Sequence, residues 1–69
     1  MEFIVCQEPK RHLDLLLLAD PYEPMIDRYL SKSIVLTAEE KGKTGALVAY
    51  CRVENGAWQI KNLAVDEAW

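Results

Sequence analysis

The hydrophobic positions of this chain change their period part-way along, and the change divides it into a helical stretch and a sheet stretch. Phe3 to Gln7 is a short β-branched and aromatic run that reads as a strand, and Pro9 ends it. Lys10 to Ala19 reads as a helix, with Leu13, Leu16 and Leu17 recurring on one face. Asp20-Pro21-Tyr22-Glu23 predicts a second helix start. Asp20 can cap it, Pro21 suits the first helical position, and Glu23 falls three residues after the cap. Pro24 remains in the first turn, where its missing N–H costs little. Met25, Ile26, Tyr29 and Leu30 are then the expected buried stripe of a helix reaching about Lys32.

From Ser33 the period falls from that of a helix to that of a strand. Ile34 to Glu39 predicts a strand, Glu40-Lys41-Gly42-Lys43 a polar turn, and Thr44 to Glu54 a longer strand. Leu47, Ala49, Cys51 and Val53 share one face of it. Ala46, Val48 and Tyr50 share the other, so both sides are substantially apolar. Asn55-Gly56 is a strong hairpin signal because both residues tolerate positive φ, and Ala57 to Val65 returns as a further strand. The expectation is a single α+β domain in the order β-α-α-β-β-β, two amino-terminal helices followed by an antiparallel three-stranded meander. There is no internal repeat, linker or low-complexity segment.

Composition narrows the functional classes. Sixty-nine residues allow one small domain, and 51% hydrophobic with 28% charged residues is the balance of an ordinary soluble globular chain. The net charge is −3 with both signs interspersed. No basic stripe is present to neutralise phosphates, which argues against a nucleic-acid partner. The longest apolar run, Leu15 to Ala19, is far short of the roughly 20 residues that span a bilayer. Met1-Glu2-Phe3 has no basic region of the kind that opens a signal peptide, so a cytoplasmic location is expected. Cys6 and Cys51 lie in apolar runs and read as reduced core residues. A disulfide, catalytic thiol or redox pair is the weaker reading, since only Arg52 stands beside either cysteine to lower its pKa. His12 is the one histidine and no Cys-x-x-Cys pair exists, so no metal site is expected.

The helical stretch Leu15-Leu16-Leu17-Leu18-Ala19-Asp20-Pro21, followed by Met25-Ile26-Asp27-Arg28-Tyr29-Leu30, precedes the meander, which ends in Asn62-Leu63-Ala64-Val65-Asp66-Glu67-Ala68-Trp69. This pattern resembles the amino-terminal half of the GNAT family of N-acetyltransferases. Strand four of that family reads Leu-Ala-Val-x-x-x-aromatic, matched here by Leu63, Ala64, Val65 and Trp69. The resemblance covers all of this chain and about half of the family's domain. It implies an acetyl-CoA-dependent enzyme that transfers acetyl to a primary amine. It also implies that Asn62, Leu63, Ala64 and Val65 contact the acetyl and pantetheine portions through a bulge in strand four. The family's next feature is a basic, glycine-rich loop that receives the cofactor's pyrophosphate at a helix N-terminus. Gly42, Gly45 and Gly56 lie instead in or beside hairpin turns, so residues 1–69 are expected to form a truncated, GNAT-like domain that is inactive by itself.

Each candidate for chemistry has a plainer reading. Many family members carry a glutamate on strand four as general base. Gln59 stands where that carboxylate is expected and cannot accept a proton at neutral pH, so the catalytic residues are unassigned. Glu39 and Glu54 read as solvated strand-end charges, and His12 as a surface residue of the first helix. Tyr29 and Tyr50 could protonate a leaving thiolate but read first as core or rim aromatics. Trp58 and Trp69 read as packing residues. A second class stays open: a small non-catalytic interaction module using the same half-fold. The unpaired edge of strand four would recruit another strand and make the chain a homo-oligomer, such as a dimer.

Overall fold

A computed structural model describes residues 1–68. Strand β1 (Glu2–Val5) is followed by a 3-10 turn (Pro9–His12), helix α1 (Leu13–Ala19), helix α2 (Glu23–Leu30) and strands β2 (Ile34–Glu40), β3 (Lys43–Arg52) and β4 (Trp58–Val65). The three-stranded meander β2-β3-β4 is present, but the sheet has a fourth strand. β1 pairs antiparallel with β2, Phe3 opposite Ala38 and Val5 opposite Leu36, and extends it to a four-stranded antiparallel sheet in the order β1-β2-β3-β4. The predicted element order holds.

Boundaries differ for local reasons. β1 begins one residue earlier and stops at Val5, although the Cys6 N–H still reaches the Val35 carbonyl at 2.8 Å. The first helical segment begins as a 3-10 turn with Pro9 in its first turn, and only from Leu13 is it α-helical. Asp20 does not cap α2. Its N–H closes α1 onto the Leu16 carbonyl, and its Oδ1 accepts the Tyr22 N–H at 3.2 Å. Tyr22 occupies the cap position, Pro21 lies before the helix, and Pro24 sits in its first turn. The α2 stripe is Ile26, Tyr29 and Leu30; Met25 is exposed.

The two hairpins use different turn chemistry. Lys41 and Gly42, both at positive φ, form a two-residue turn between β2 and β3. The β3–β4 connection is longer than the expected two-residue turn. The Val53 N–H donates to the Ala57 carbonyl, the Gly56 N–H donates to the Val53 carbonyl, and only Gly56, at φ +83°, is left-handed. That is a three-residue loop closed by a glycine, with the Asn55 side chain accepting the Ala57 N–H at 3.0 Å. β3 accordingly ends at Arg52, short of Glu54.

One face of the sheet carries the core. Val35, Leu47, Ala49 and Ala64 pack against Leu15 and Leu16 of α1 and Ile26, Tyr29 and Leu30 of α2, with Leu13, Leu17 and Cys6 at the margin. Leu16 and Ile26 are fully buried. Lys10 joins the 3-10 turn to α2 through ion pairs with Glu23 (2.7 Å) and Asp27 (2.6 Å), which raise its pKa, Asp27 most. The opposite face has no helix over it. Phe3, Val5, Ile34, Trp58, Leu63 and Val65 are all exposed there. Among the described residues, no helix is long and apolar enough to cross a membrane.

Because Leu16 has no exposed surface and faces both α2 and the sheet, Leu16→Ala should cost about 2–5 kcal/mol of unfolding free energy. Urea unfolding followed by far-UV circular dichroism checks this. Leu18→Ala, at an exposed position of the same helix, should change the midpoint little.

Candidate functional site

The site begins with an irregularity in β4. Ala49 pairs with Asn62 and Tyr50 with Ile60, so Lys61 is an extra residue with no partner on β3. Such a bulge resets the alternation of a strand. Ile60 pairs across to Tyr50 and points to the open face with Leu63 and Val65, while Asn62 and Ala64 point beneath the helices.

Asn62 is a carboxamide in the middle of an apolar layer, with 3% of its surface exposed. Burial of this group without partners costs a few kcal/mol, so its contacts decide whether the strand can lie there. Its Nδ2 donates to the Leu16 carbonyl of α1 at 3.0 Å and to the Tyr29 hydroxyl of α2 at 2.9 Å. The Leu16 carbonyl can only accept, which fixes the orientation of the amide. The Tyr29 hydroxyl, its lone pair taken by Asn62, turns its proton toward the Asp20 carboxylate at 3.5 Å. One side chain of β4 thus joins α1, α2 and the turn between them. Asn62 Oδ1 is buried and has no hydrogen-bond partner among the described residues. Burial pushes the Tyr29 phenol pKa above its ordinary value, and the neighbouring Asp20 charge acts in the same direction against the Asn62 hydrogen bond.

The four residues expected to contact a cofactor are contiguous on this anchored strand but do not share a face. Asn62 and Ala64 are buried beneath the helices, while Leu63 and Val65 are exposed on the open face. What the four share is main chain on β4, an edge strand of the sheet. The β4 end is held in turn: the Asp66 N–H donates to the carbonyl of Gly45, itself an extra residue of β3 between Thr44 and Ala46, at 2.8 Å.

The other candidates are dispersed. Gln59 is exposed opposite Cys51, and Glu54 is exposed in the β3–β4 loop. Glu39 accepts a hydrogen bond from the Thr44 hydroxyl, which holds its carboxyl below the usual range. Tyr29 is in the core, as its plainer reading has it. Tyr50 packs edge-on against Trp58 with ring centroids 5.5 Å apart, and the Arg52 guanidinium lies 5.2 Å from the Trp58 ring centre. His12 is half-buried at the end of the 3-10 turn. Cys51 is buried, Cys6 half-buried, and both are free thiols. Trp69 lies outside the described residues.

The Asn62–Tyr29–Asp20 connection escapes a reading of the sequence. Its trace there is a polar amide at an inward position of an apolar strand, where Asn is disfavoured unless something binds it. The extra residue, Lys61, leaves no such trace.

No protein-family profile matches the chain, and no curated protein matches it. Solved structures do. An IAA acetyltransferase from Bacillus cereus superposes with a TM-score of 0.80 at 28% identity, over 97% of this chain and 46% of that one. A GNAT family acetyltransferase from Elizabethkingia anophelis, solved with acetyl-CoA bound, superposes with a TM-score of 0.78 at 33% identity, over 83% of this chain and 37% of that one. This chain has the fold of the amino-terminal half of a GNAT acetyltransferase. It spans less than half the length of either GNAT relative. In the GNAT half-fold, β2, β3 and β4 are strands two to four, and Asn62 to Val65 lie on strand four.

Two outcomes follow from the buried amide. Asn62→Ala should lower the unfolding free energy by about 1–3 kcal/mol, measured by urea titration with an unchanged slope. Because the Tyr29 pKa is raised, its contribution is complete below its ordinary value of 10.0 and is lost as pH climbs from there through the folded-state value. Tyr29→Phe should remove that component of the alkaline loss, as read from melting temperatures between about pH 8 and pH 11.

Proposed function

We propose that this chain is the amino-terminal portion of an acetyl-CoA-dependent N-acetyltransferase. In this reading residues 1–69 form one truncated domain, and the main chain of Asn62, Leu63, Ala64 and Val65 supplies one wall of the cofactor cleft. The observation that carries it is the bulged edge strand held rigidly from below by Asn62. The likeness to the Elizabethkingia anophelis enzyme, solved with acetyl-CoA bound, supports the choice of cofactor.

The chemistry sets what such a wall must do. An unprotonated amine attacks the thioester carbonyl, a C–N bond forms, the C–S bond breaks, and the thiolate takes up a proton while the nitrogen loses one. Negative charge grows on the carbonyl oxygen, and a fixed backbone N–H aimed at it lowers the barrier. A main-chain donor on β4 suits this role because it costs no reorganisation during the reaction. Gln59 cannot serve as the base, and the other carboxylates near this strand are exposed or already hydrogen-bonded, so the base belongs to another part of the parent enzyme. The pyrophosphate would need successive N–H groups at a glycine-lined helix start. Gly42 and Gly56 serve hairpin turns instead.

A second reading is favoured by a separate observation. β4 is an edge strand, and the open face beside it exposes Trp58, Ile60, Leu63 and Val65. Edge pairing between two copies would cover both features, giving a self-associating module without catalysis.

Titration of the 69-residue chain with acetyl-CoA, followed by amide chemical shifts, separates the two. The enzyme reading expects saturable shifts confined to residues 62–65 and no acetyl transfer to amines by the chain alone. No response at millimolar ligand, with a concentration-dependent dimer in sedimentation, would replace it with the module.

A further inference from the structure

Between α2 and the β3–β4 hairpin lies a cleft of about 440 Å³ with an unusual lining. Arg28 stands in the last turn of α2 and Lys32 in the turn just beyond its end, and Lys61, the extra residue of the bulge, faces them from β4. Arg52 also borders the cleft, but its guanidinium lies over the Trp58 ring on the open face of the sheet and adds no charge to it. Glu54 is the one acid among its lining residues, so three side-chain cations, Arg28, Lys32 and Lys61, meet a single carboxylate in a chain whose net charge is −3. The ion pairs among the described residues are those of Lys10; Arg28, Lys32 and Lys61 take part in none of them. Like charges brought together without counter-charges repel one another and lower stability, a cost that an anionic ligand reverses.

The cleft's position ties it to the candidate site. Tyr29 borders it, and the Tyr29 hydroxyl is the one that holds Asn62. Lys61 immediately precedes Asn62. The cleft therefore opens at the bulge, towards the Gln59 end of β4, whereas the main chain assigned to the cofactor runs the other way, from Asn62 to Val65. An anion seated here would lie beside the start of that wall, on the Gln59 side of the bulge.

We infer that Arg28, Lys32 and Lys61 bind the anionic group of the acyl acceptor, which is then an amine that also carries a carboxylate or a phosphate. This rests on the N-acetyltransferase reading for the acceptor's identity, but anion binding at the cleft is measurable without it. Arg28 offers a planar fork matched to either group, and the two lysines add point charges. Glu54 stands where it can meet the acceptor's ammonium before it loses its proton.

The test uses the isotope-labelled 69-residue chain and matched pairs of probes, O-phosphoethanolamine against ethanolamine and glycine against glycinamide. The expected result is saturable movement of the Arg28, Lys32 and Lys61 amides with the anionic member of a pair and at least ten-fold weaker movement with the neutralised member. A response to O-phosphoethanolamine alone assigns a phosphate, and a response to glycine as well assigns a carboxylate. Arg28→Glu and Lys61→Glu should each weaken binding at least ten-fold, while Lys41→Glu in the far hairpin should not. Equal responses within each pair, or equal loss in Lys41→Glu, would overturn the site. Acetyl-CoA moving these amides instead of those of residues 62–65 would assign the cleft to the cofactor's phosphates and overturn the acceptor reading. Shifts at 62–65 absent while anion binding persists would fault the cofactor assignment and leave the anion site standing.

Discussion

The Asn62 carboxamide is where the two helices and the last strand meet, and the geometry of that strand follows from its need for partners. An amide cannot lie in an apolar layer unless it is bonded, and the Leu16 carbonyl and Tyr29 hydroxyl are the groups within reach. Satisfying both fixes the height of α1 over the sheet, the rotation of α2 and the side of β4 that faces inward. Lys61 is then forced out of register, because Ile60 pairs with Tyr50 on the opposite face. The bulge and the buried amide are thus one device.

That device separates two tasks on a single strand. The inward side of β4 is committed to packing through Asn62 and Ala64, so its main chain is held in place. The proposed half-site of fixed backbone requires rigidity below and openness alongside, and β4 is an edge strand with Asn62 and Ala64 buried beneath it. The same openness explains the second reading, since an exposed edge beside an apolar face is equally a surface for another copy of the chain. The cationic cleft extends the first reading, because a strand that only packed a core would not need unpaired charges gathered at its bulge.

Much of this was legible in the sequence. The change of period at Ser33 located the boundary between helices and meander, since a period of 2 cannot sustain a helix face. Leu47, Ala49 and Cys51 were read on one face of β3, and that face is the buried one. The fourth strand of the sheet was harder to see, because β1 is separated from β2 by both helices and strand pairing leaves no local mark. The spacing of Asp20 to Glu23 fits a helix cap, yet Asp20 is not one. α1 took its N–H instead, and its carboxylate serves the Tyr22 N–H and the Tyr29 hydroxyl. Residues 62–65 were assigned from resemblance, and the structure adds that they divide between two faces. The network behind them depends on contacts across 33 and 46 positions of chain, which no local pattern encodes.

The most direct test of this account is a double-mutant cycle between Asn62 and Tyr29, with Asn62→Ala, Tyr29→Phe and the double variant unfolded in urea. If the buried amide and phenol hold the strand to α2 together, their effects are coupled by about 1 kcal/mol, the double variant losing less than the two single losses combined. Additivity within about 0.3 kcal/mol would mean that the two groups act independently and that β4 is held by apolar packing alone.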